Sequence, residues 1–456
     1  MSEQITASTK PQGMTKLEKK WVLYDVANSA YTLLATALLA FYFDFLSPSD
    51  SLTTVWGLVN VIVTIIAVIL CPIMGTYADF SKKKNIFMLF ALTGIVGCGA
   101  LSVFGLIGGS AIAGVLFLIT YIVTEVGYTS ANVFYDSMLN DVTTDENMHK
   151  VSANGFAWGY IGSCIPFIVC LVLYVLGDMI LVDKVAGVVV NKPFLGYAYT
   201  LCCLITAVWW LVFTLPLYKS YHQTHFLPKP EKPIRETFKR LSEVFKEFAK
   251  NKKALLFLIA YFFYIDGVHT IIKMAMSIGK DLQFENFGTV KLVIALFVTQ
   301  IVAFPCAIVF GVLATKFKSK ADELLISCIV SYTAIGVLAV FLRQEWQFWA
   351  MAVGVGMFQG GVQALSRSYF TKIIPAEKSG EFFGLYDIFG KSAAIVGVGL
   401  ISLLSAFFPL SNKGAWMNIC LIPLPILFGL GLVFFMLSRK IPVSKDAAGA
   451  DELGEY

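Results

Sequence analysis

Long apolar stretches, separated by short polar segments, run through the whole chain. We assign twelve of them as membrane-spanning helices, because each is near the roughly 20 apolar residues that a helix needs to cross a bilayer. The stretches cover residues 21–45, 52–77, 84–107, 110–138, 151–177, 194–218, 254–277, 288–314, 322–342, 345–371, 381–408 and 414–438. The pattern therefore predicts an all-α integral membrane protein with twelve transmembrane helices.

The longest polar segment between these stretches, residues 219–253, divides them into six and six. We expect six-helix halves at 21–218 and 254–438, a cytoplasmic segment at 1–20 and a cytoplasmic tail at 439–456. Within the dividing segment, apolar residues recur at spacings of three and four, at Ile234, Phe238, Leu241, Phe245 and Phe248. Basic residues fall between them, so this spacing predicts an amphipathic linker helix on the inner membrane surface.

Lysines and arginines concentrate in one set of loops. That set includes residues 82–84, Lys150, residues 219–253, Lys316 and Lys372. The opposite loops hold few basic residues, namely Lys184, Lys192, Lys280, Arg343 and Lys413. The positive-inside rule therefore predicts that both termini are cytoplasmic.

Composition agrees with a membrane protein. The chain has 456 residues, of which 57% are hydrophobic and 14% are charged, and its mean hydropathy is +0.74. Soluble domains are about 25% charged. The net charge of +5 comes from the loops, so we expect the lipid bilayer as a partner and no nucleic acid. The nine cysteines lack the spacing of a metal site or a disulfide framework, so we expect no metal and no cofactor.

Short segments of the first half recur in the second. The segment 75–84 resembles 311–320, each with a glycine followed by a lysine cluster, and Asp25–Ser29 parallels Asp266–Thr270. Six spans repeated around a central loop is the plan of a transporter whose halves rock about a midplane substrate site. We therefore expect alternating access, with the solute held between the halves.

Ionisable residues inside the spans are the main functional candidates, because a charge in the bilayer costs at least a few kcal/mol unless it is paired or wetted. In the seventh span Asp266, His269, Thr270 and Lys273 share one helical face. A histidine three residues from a carboxylate could exchange protons near neutral pH. The alternative is a static hydrogen-bonded cluster that holds two helices together.

Other acids offer similar chemistry. Glu125 lies near the middle of the fourth span, where it could carry a proton or could stay protonated and bonded to a neighbouring helix. Asp387 and Lys391 are four residues apart in the eleventh span and could form an ion pair along the helix, or Lys391 could meet an anionic group. The proton-coupling candidates are Asp25, Glu125, Asp266, His269 and Asp387.

Uncharged polar side chains at similar depth are candidates for binding the solute. Tyr24, Asn28 and Tyr31 are spaced four and three apart on one face of the first span. Gln359 and Gln363 flank two glycines of the tenth span and offer both hydrogen-bond donors and acceptors. The predicted solute-binding residues are Tyr24, Asn28, Tyr31, Asn132, Tyr264, Gln359, Gln363 and Lys391.

The segment 75–84 suggests a gate at the cytoplasmic side. Asp79 could accept hydrogen bonds from the start of a helix in the other half, and the lysines could pair with Asp136 or Asp141. Arg367, near the cytoplasmic end of the tenth span, could pair with Glu381 or a helix terminus. The predicted gating residues are Gly75, Asp79, Lys83, Asp136, Arg367 and Glu381.

These segments resemble a known family. The motif Gly75-x-x-x-Asp79-x-x-x-Lys83 is similar to the loop 2–3 signature of the major facilitator superfamily. Within it, the chain resembles the autophagy-linked vacuolar amino-acid effluxers and their bacterial "unknown major facilitator" relatives. The segments that carry this resemblance are 21–31, 264–270, 360–368 and 381–391. The resemblance implies the major facilitator fold and the transport of small solutes such as amino acids. We also expect a bacterial plasma membrane location.

Two positions differ from that pattern. His269 stands where such relatives usually carry glutamine, and Glu125 stands where they carry a neutral residue. Both add protonatable groups, which favours proton coupling and weakens the transfer of a substrate from the vacuolar relatives.

The leading hypothesis is a monomeric, proton-coupled secondary transporter of a small polar or zwitterionic solute. One alternative is an uncoupled facilitator or a sugar–cation symporter of the same fold. A membrane-embedded enzyme is a weaker hypothesis, since it needs a catalytic cluster at the membrane interface, where the chain offers only His149, His222 and His225. A receptor would not need paired charges at the midplane. We expect no enzymatic activity.

Overall fold

A computed structural model describes residues 13–47, 52–80, 82–226, 228, 251–281, 289–375, 378–406 and 418–442. The first half consists of the helices α1 Lys16–Leu46, α2 Leu52–Ala78, α3 Lys83–Ile107, α4 Ala111–Ser137, α5 Met148–Ile180 and α6 Leu195–Ser220. The second half consists of α7 Lys252–Asp281, α8 Thr289–Lys316, α9 Ala321–Val340, α10 Glu345–Ile373, α11 Ser379–Ala406 and α12 Asn418–Arg439.

Ten helices in the described part of the chain are long and apolar enough to cross a membrane. The other two, α2 and α11, are 27 and 28 residues long. The prediction of an all-α membrane protein is confirmed. The count of twelve spans and the cytoplasmic position of the termini stay predictions, and the linker helix over 234–248 lies outside the described residues.

Local sequence explains several helix boundaries. α1 begins five residues before the predicted span, because Thr15 and Glu18 form a reciprocal capping box at its start. At the start of α4, the Ser110 hydroxyl accepts the Ala113 N–H as a single N-cap hydrogen bond. A π-helical turn at Ala35–Leu39 interrupts α1.

A two-stranded hairpin, β1 Asp183–Val185 and β2 Val188–Asn191, joins α5 to α6. The sequence analysis assigned no strand here. The turn needs positive φ at both central residues, Ala186 at 49° and Gly187 at 82°, which glycine supplies without strain at the second position.

Each half has its own buried core. One cluster centres on aromatic residues of the first half, such as Trp21, Tyr31 and Trp210, and the other on residues of the second half, such as Tyr264 and Phe428. Large apolar side chains are exposed on the outside of the helices, as a lipid-facing surface requires. The halves meet where α2 and α4 pack on α11 and where α5 packs on α8 and α10.

Candidate functional site: a charged socket between the halves

Arg367 of α10 inserts into the first half of the molecule. Its side chain is 2% exposed. Nη1 lies 2.8 Å from Oδ1 of Asp136, and Nη2 lies 3.4 Å from Oδ2 of Asp25. One guanidinium therefore binds two carboxylates of the opposite half, and charge-assisted bonds of this kind are the strong ones.

The rest of the guanidinium is also satisfied by the first half. Nε donates to the Ser152 hydroxyl at 3.0 Å, and Nη2 donates to the Ser152 carbonyl at 2.9 Å. The guanidinium carbon lies 4.1 Å from the ring centroid of Phe156 and 4.7 Å from that of Trp21. A planar, weakly hydrated cation suits this combination of forked hydrogen bonds and aromatic faces. We call these contacts of Arg367 the Arg367 socket.

The acids of the socket are held in place by α4 and α5. The Tyr135 hydroxyl donates to Oδ2 of Asp25 at 2.7 Å, and the Tyr135 carbonyl accepts the Trp21 indole N–H at 3.0 Å. A Cβ at Gly155 would lie 2.2 Å from Oδ2 of Asp25 and 2.9 Å from Nη2 of Arg367. The socket therefore needs a glycine on the facing turn of α5.

The sequence analysis left two partners open for each charge of this contact, Asp136 or Asp141 for the lysines of residues 82–84 and Glu381 or a helix terminus for Arg367. The described ion pairs join Arg367 to Asp136 and Asp25. The Glu381 side chain lies outside the described residues. Asp25, which was predicted to couple protons, occupies a gate contact, because its position near the start of α1 brings it to the interface between the halves.

A second contact between the halves centres on Lys83, whose side chain is fully buried. Nζ lies 3.6 Å from Oδ1 of Asp79 and 3.7 Å from Oδ2 of Asp141, and it donates to the Ser379 hydroxyl at 2.9 Å. Ser379 is the first residue of α11 and also donates to the Ser137 carbonyl at 3.3 Å. The contact expected between a loop lysine and Asp141 is therefore present, and Lys83 reaches the start of a helix in the other half.

Asp141 ties this contact to the segment after α6. Its carboxylate accepts hydrogen bonds from the Tyr221 hydroxyl at 2.5 Å and from the backbone N–H groups of Thr224 and His225. Burial alone would raise the pKa of Asp141, but the Lys83 charge and the hydrogen bonds from His225 and Tyr221 hold that pKa well below its usual value. Asp141 therefore stays ionised across the neutral range.

Further hydrogen bonds join the halves at the same end. The His149 ring shares one with the Ser368 hydroxyl at 2.6 Å, and the Ser152 hydroxyl donates to the Ala364 carbonyl at 3.0 Å. Towards the middle of the helices, the Tyr160 hydroxyl donates to Oε1 of Gln363 at 2.5 Å. Among the described residues, these bonds and those of Arg367, Lys83 and Ser379 close the end of the molecule that carries the 75–84 segment. We call it the basic end.

The first half presents a polar seam between α1 and α4. Asn28 donates to Asn132 at 2.8 Å, and the Tyr31 hydroxyl donates to Oε1 of Glu125 at 3.1 Å. One turn further, the Thr32 and Tyr128 hydroxyls share a hydrogen bond at 2.7 Å. Asn132 and Glu125 are half-buried, so this seam reaches the surface of the half.

In the second half, Asp266 is fully buried and joins α7 to α11. Its Oδ1 accepts the Gly397 N–H at 2.9 Å and the Thr270 hydroxyl at 3.3 Å. A Cβ at Gly397 would lie 2.2 Å from that hydroxyl, so the contact depends on glycine. This geometry fits the static helix contact that the sequence analysis kept as an alternative; His269, three residues later, is half-buried.

Tyr24 and Tyr264, two of the predicted solute ligands, are fully buried within their own halves, as is Tyr31 of the polar seam. Tyr24 packs against the rings of Phe87 and Tyr135, and the Tyr264 hydroxyl shares a hydrogen bond of 2.6 Å with Ser366. In this conformation both brace the helices. The side chains of Lys273, Asp387 and Lys391 lie outside the described residues.

Several residues of this interface were not singled out from the sequence. Ser152, Gly155 and Tyr160 lie on one stretch of α5, and all three contribute to contacts with α10 or to the room these contacts need. The available signal was the small-residue run Gly155-x-x-x-Gly159-x-x-Gly162, which permits close helix approach.

Solved structures share this architecture. The fucose transporter FucP in the outward conformation matches with a TM-score of 0.69 at 12% identity, over 93% of this chain and 98% of that one. An outward-facing bacterial homologue of the iron transporter ferroportin matches with a TM-score of 0.65 at 14% identity, over 93% of this chain and 99% of that one. The fold is that of the major facilitator superfamily.

Sequence comparison narrows the class. The model of the family described as "Vacuole effluxer Atg22 like" matches residues 43–440, and the chain belongs to this family. The uncharacterized MFS-type transporter YxiO of Bacillus subtilis (strain 168) is 40% identical over 92% of this chain and 94% of its own length. The autophagy-related protein 22-2 of Aspergillus clavatus is 24% identical over 56% of this chain, which spans less than half of that relative's length, 43%.

Proposed function

We propose that this protein couples the transport of a small polar or zwitterionic solute, such as an amino acid, to protons and moves the solute by alternating access. It acts as a monomer in a bacterial plasma membrane, with the basic end in the cytoplasm. The observation that carries the proposal is Arg367, a buried cation of one half that binds two acids of the other half.

The Arg367 socket gives the basic end two states. When the halves separate there, Arg367 leaves Asp25 and Asp136, and a buried charge that loses its partner costs about 3–5 kcal/mol. Water entering the opened end, or a proton on either acid, offsets this cost. The basic end therefore opens only when charge in the socket is compensated, which is the property that coupled transport requires.

Glu125 is the proposed proton carrier. It is half-buried at the seam between α1 and α4, and the Tyr31 hydroxyl donates to it. An ionised carboxylate at this depth of a span is costly, so a neutral, protonated form competes with it. Asp266 fits less well, because it is fully buried and its Oδ1 accepts the Gly397 N–H and the Thr270 hydroxyl, which fits a static contact between α7 and α11.

The test begins with a thermal-shift screen of the purified protein against amino acids, sugars and small organic ions, since a bound solute stabilises by mass action. The solute found is then used in proteoliposomes. We expect Glu125→Gln to keep solute exchange at zero pH gradient and to lose uptake driven by an imposed gradient. Glu345→Gln makes the same change at a surface acid, which pairs with Lys291 at 2.9 Å, and serves as the matched control that keeps gradient-driven uptake.

Gradient-driven uptake by Glu125→Gln at the rate of the parent would show that Glu125 does not couple protons. Parent flux that ignores the gradient would instead show an uncoupled facilitator of the same fold. A membrane-embedded enzyme is disfavoured because the related proteins are named as transporters.

A further inference from the structure

One hydrogen bond between the halves lies further from the basic end than the Arg367 socket. The Tyr160 hydroxyl of α5 donates to Oε1 of Gln363 on α10 at 2.5 Å. Ser152 and Arg367, which join the same two helices nearer the basic end, are buried, whereas Tyr160 and Gln363 are both half-buried. The bond therefore lies where the closed interface between α5 and α10 gives way to accessible space.

The exposed part of Tyr160 faces the interior of the molecule and not the lipid. On α5, large apolar side chains are exposed at Trp158, Ile165 and Val172, at intervals of seven residues that mark one face of the helix. Tyr160 follows Trp158 by two residues, which is about 200° around an α-helix. A solute between the halves can therefore reach this bond.

Two glycines allow the helices to come close enough for this contact. A Cβ at Gly360 would lie 3.2 Å from Cε2 of Tyr160, so α10 has room for the ring only because this residue is glycine. A Cβ at Gly159 would lie 2.9 Å from Oγ of Ser29, which donates to Asn28 of the polar seam. The bond between Tyr160 and Gln363 is therefore one residue along α5 from the point where this helix meets the seam.

The two partners offer opposite hydrogen-bonding chemistry, a donor on the first half and an acceptor on the second. A molecule that enters between them must accept from the Tyr160 hydroxyl and donate to Oε1 of Gln363. A zwitterion with neighbouring carboxylate and ammonium groups does both, and its two charge-assisted bonds are about twice as strong as the neutral bond they replace. An amine or an acid alone leaves one partner unpaired, which is costly in a half-buried site.

We propose that Tyr160 and Gln363 determine the specificity of the solute site by binding a zwitterion between them. The carboxylate accepts the hydrogen of the Tyr160 hydroxyl, and the ammonium donates to Oε1 of Gln363. This inference rests on the proposed function and adds Tyr160 to the residues that the sequence assigned to the solute. Gln359, the other glutamine of this stretch of α10, is only 4% exposed and does not take part.

The experiment measures binding by thermal shift on the full-length protein in detergent, with the twenty common L-amino acids as probes. The amino acid with the largest shift is then compared with its decarboxylated amine and its deaminated acid, which for leucine are 3-methylbutylamine and 4-methylpentanoate. We expect the amino acid to bind at least about tenfold more tightly than either analogue, because each analogue leaves one hydrogen-bonding group unpaired. Equal affinities for the three compounds would overturn the proposal.

Variants assign each preference to one side chain. Tyr160→Phe removes the donor, so we expect the amino acid to lose about fivefold or more in affinity while the amine is not weakened. Gln363→Leu removes the acceptor and should reduce the preference for the amino acid over the deaminated acid. Tyr174→Phe, on the same helix but packed on Tyr199 within the first half, is the matched control and keeps both preferences.

Two results would contradict these roles in variants whose ligand-free melting and gel-filtration profiles show a folded protein. One is an equal loss of affinity for all three compounds in Tyr160→Phe, and the other is a preference that survives the Tyr160→Phe/Gln363→Leu double variant. If Gln363→Leu does not fold, Tyr160→Phe alone decides the question, because it removes only a hydroxyl.

These outcomes are separable from those of the proposed function, because binding is measured without a pH gradient. If none of the amino acids binds but a sugar or an organic ion is taken up with the gradient, the zwitterion site is wrong and proton coupling stands. If an amino acid binds with both preferences but Glu125→Gln keeps gradient-driven uptake, the site stands and Glu125 is not the proton carrier.

Discussion

At the basic end, one guanidinium satisfies acids that belong to two helices of the other half. Arg367 binds Asp25 on α1 and Asp136 on α4, and it also reaches both oxygens of Ser152. A single cation thus holds three helices of the first half against α10. The residue acts by geometry as well as charge, because its planar fork lies between the rings of Phe156 and Trp21.

Replacing this arginine should open the basic end. Arg367→Gln leaves two buried acids without their cation, which we expect to cost about 3–5 kcal/mol in the closed state. Arg367→Lys should open it as well, since an ammonium cannot reproduce the forked bonds. To measure opening, Thr371→Cys is added to the parent and to each variant; this buried position lies four residues after Arg367 on α10. The rate at which an impermeant maleimide labels this cysteine is then measured in membrane vesicles of both orientations.

Arg439 provides the matched control for this experiment. Its side chain is 38% exposed, and its Nε lies 3.6 Å from Oδ2 of Asp322. Surface ion pairs of this kind contribute little to stability, so Arg439→Gln should change labelling little. Labelling of the Arg367 variants at the rate of the parent would contradict a closing role for the socket.

The sequence analysis singled out most of the charged residues at the basic end but not the partners that each one binds. Arg367, Asp136 and Lys83 were predicted to be gate residues because each is charged near the end of a span. Helical spacing could not show which acid faces Arg367, since that depends on the packing of one half against the other. For the same reason Tyr24 and Tyr31 share a predicted face, yet Tyr24 is buried behind Phe87 while Tyr31 reaches Glu125.

At the level of helices, α5 must approach α1 closely for the socket to form. A Cβ at Gly155 would lie within 3 Å of both Asp25 and Arg367. We expect Gly155→Ala to break the ion pairs and to destabilise the closed state by about 3 kcal/mol or more, although alanine favours a helix by about 0.5–1 kcal/mol. Thermal unfolding of the purified protein and Thr371→Cys labelling both measure this effect.

Gly429 offers the comparison, since it lies within α12 and a Cβ there would meet nothing within 4 Å. Gly429→Ala should be neutral or slightly stabilising. A Gly155→Ala protein that melts and labels like Gly429→Ala would show that α5 can adjust without disturbing the socket.

The loop motif gives a second prediction for the helix ends. Asp79 is buried beside Lys83, which reaches Ser379 at the start of α11. Asp79→Asn removes a charge that holds Lys83 in place, so we expect faster Thr371→Cys labelling from the basic end. In the related segment of the second half, Thr315 donates to the Gly311 carbonyl of its own helix, and Thr315→Asp should change labelling little.

Equal labelling of Asp79→Asn and the parent would show that Asp141 and Ser379 hold Lys83 in place without the Asp79 charge. An increase in Thr315→Asp as large as in Asp79→Asn would show that both segments act as gates. The two variants therefore test whether the second copy of the motif, at residues 311–320, contributes to closing the basic end as the first copy does.

For the whole molecule, the apolar pattern predicted the helices closely, because the length of a bilayer span limits where each can begin and end. The hairpin at 183–191 was not predicted, since its run of valines is short and resembles the end of a span.

Alternating access makes a final prediction about both ends of the transporter. The Ser379 hydroxyl lies 3.3 Å from the Ser137 carbonyl, so these two residues are in contact across the halves, and a disulfide formed there between cysteines would lock the basic end closed. Oxidised Ser137→Cys/Ser379→Cys protein should lose exchange of the screened solute in proteoliposomes and regain it on reduction. The locked protein should still bind that solute, because the opposite end stays free to admit it. Each single-cysteine variant, oxidised in the same way, should exchange at the rate of the parent, while exchange by the locked protein would mean that the solute crosses without opening the basic end.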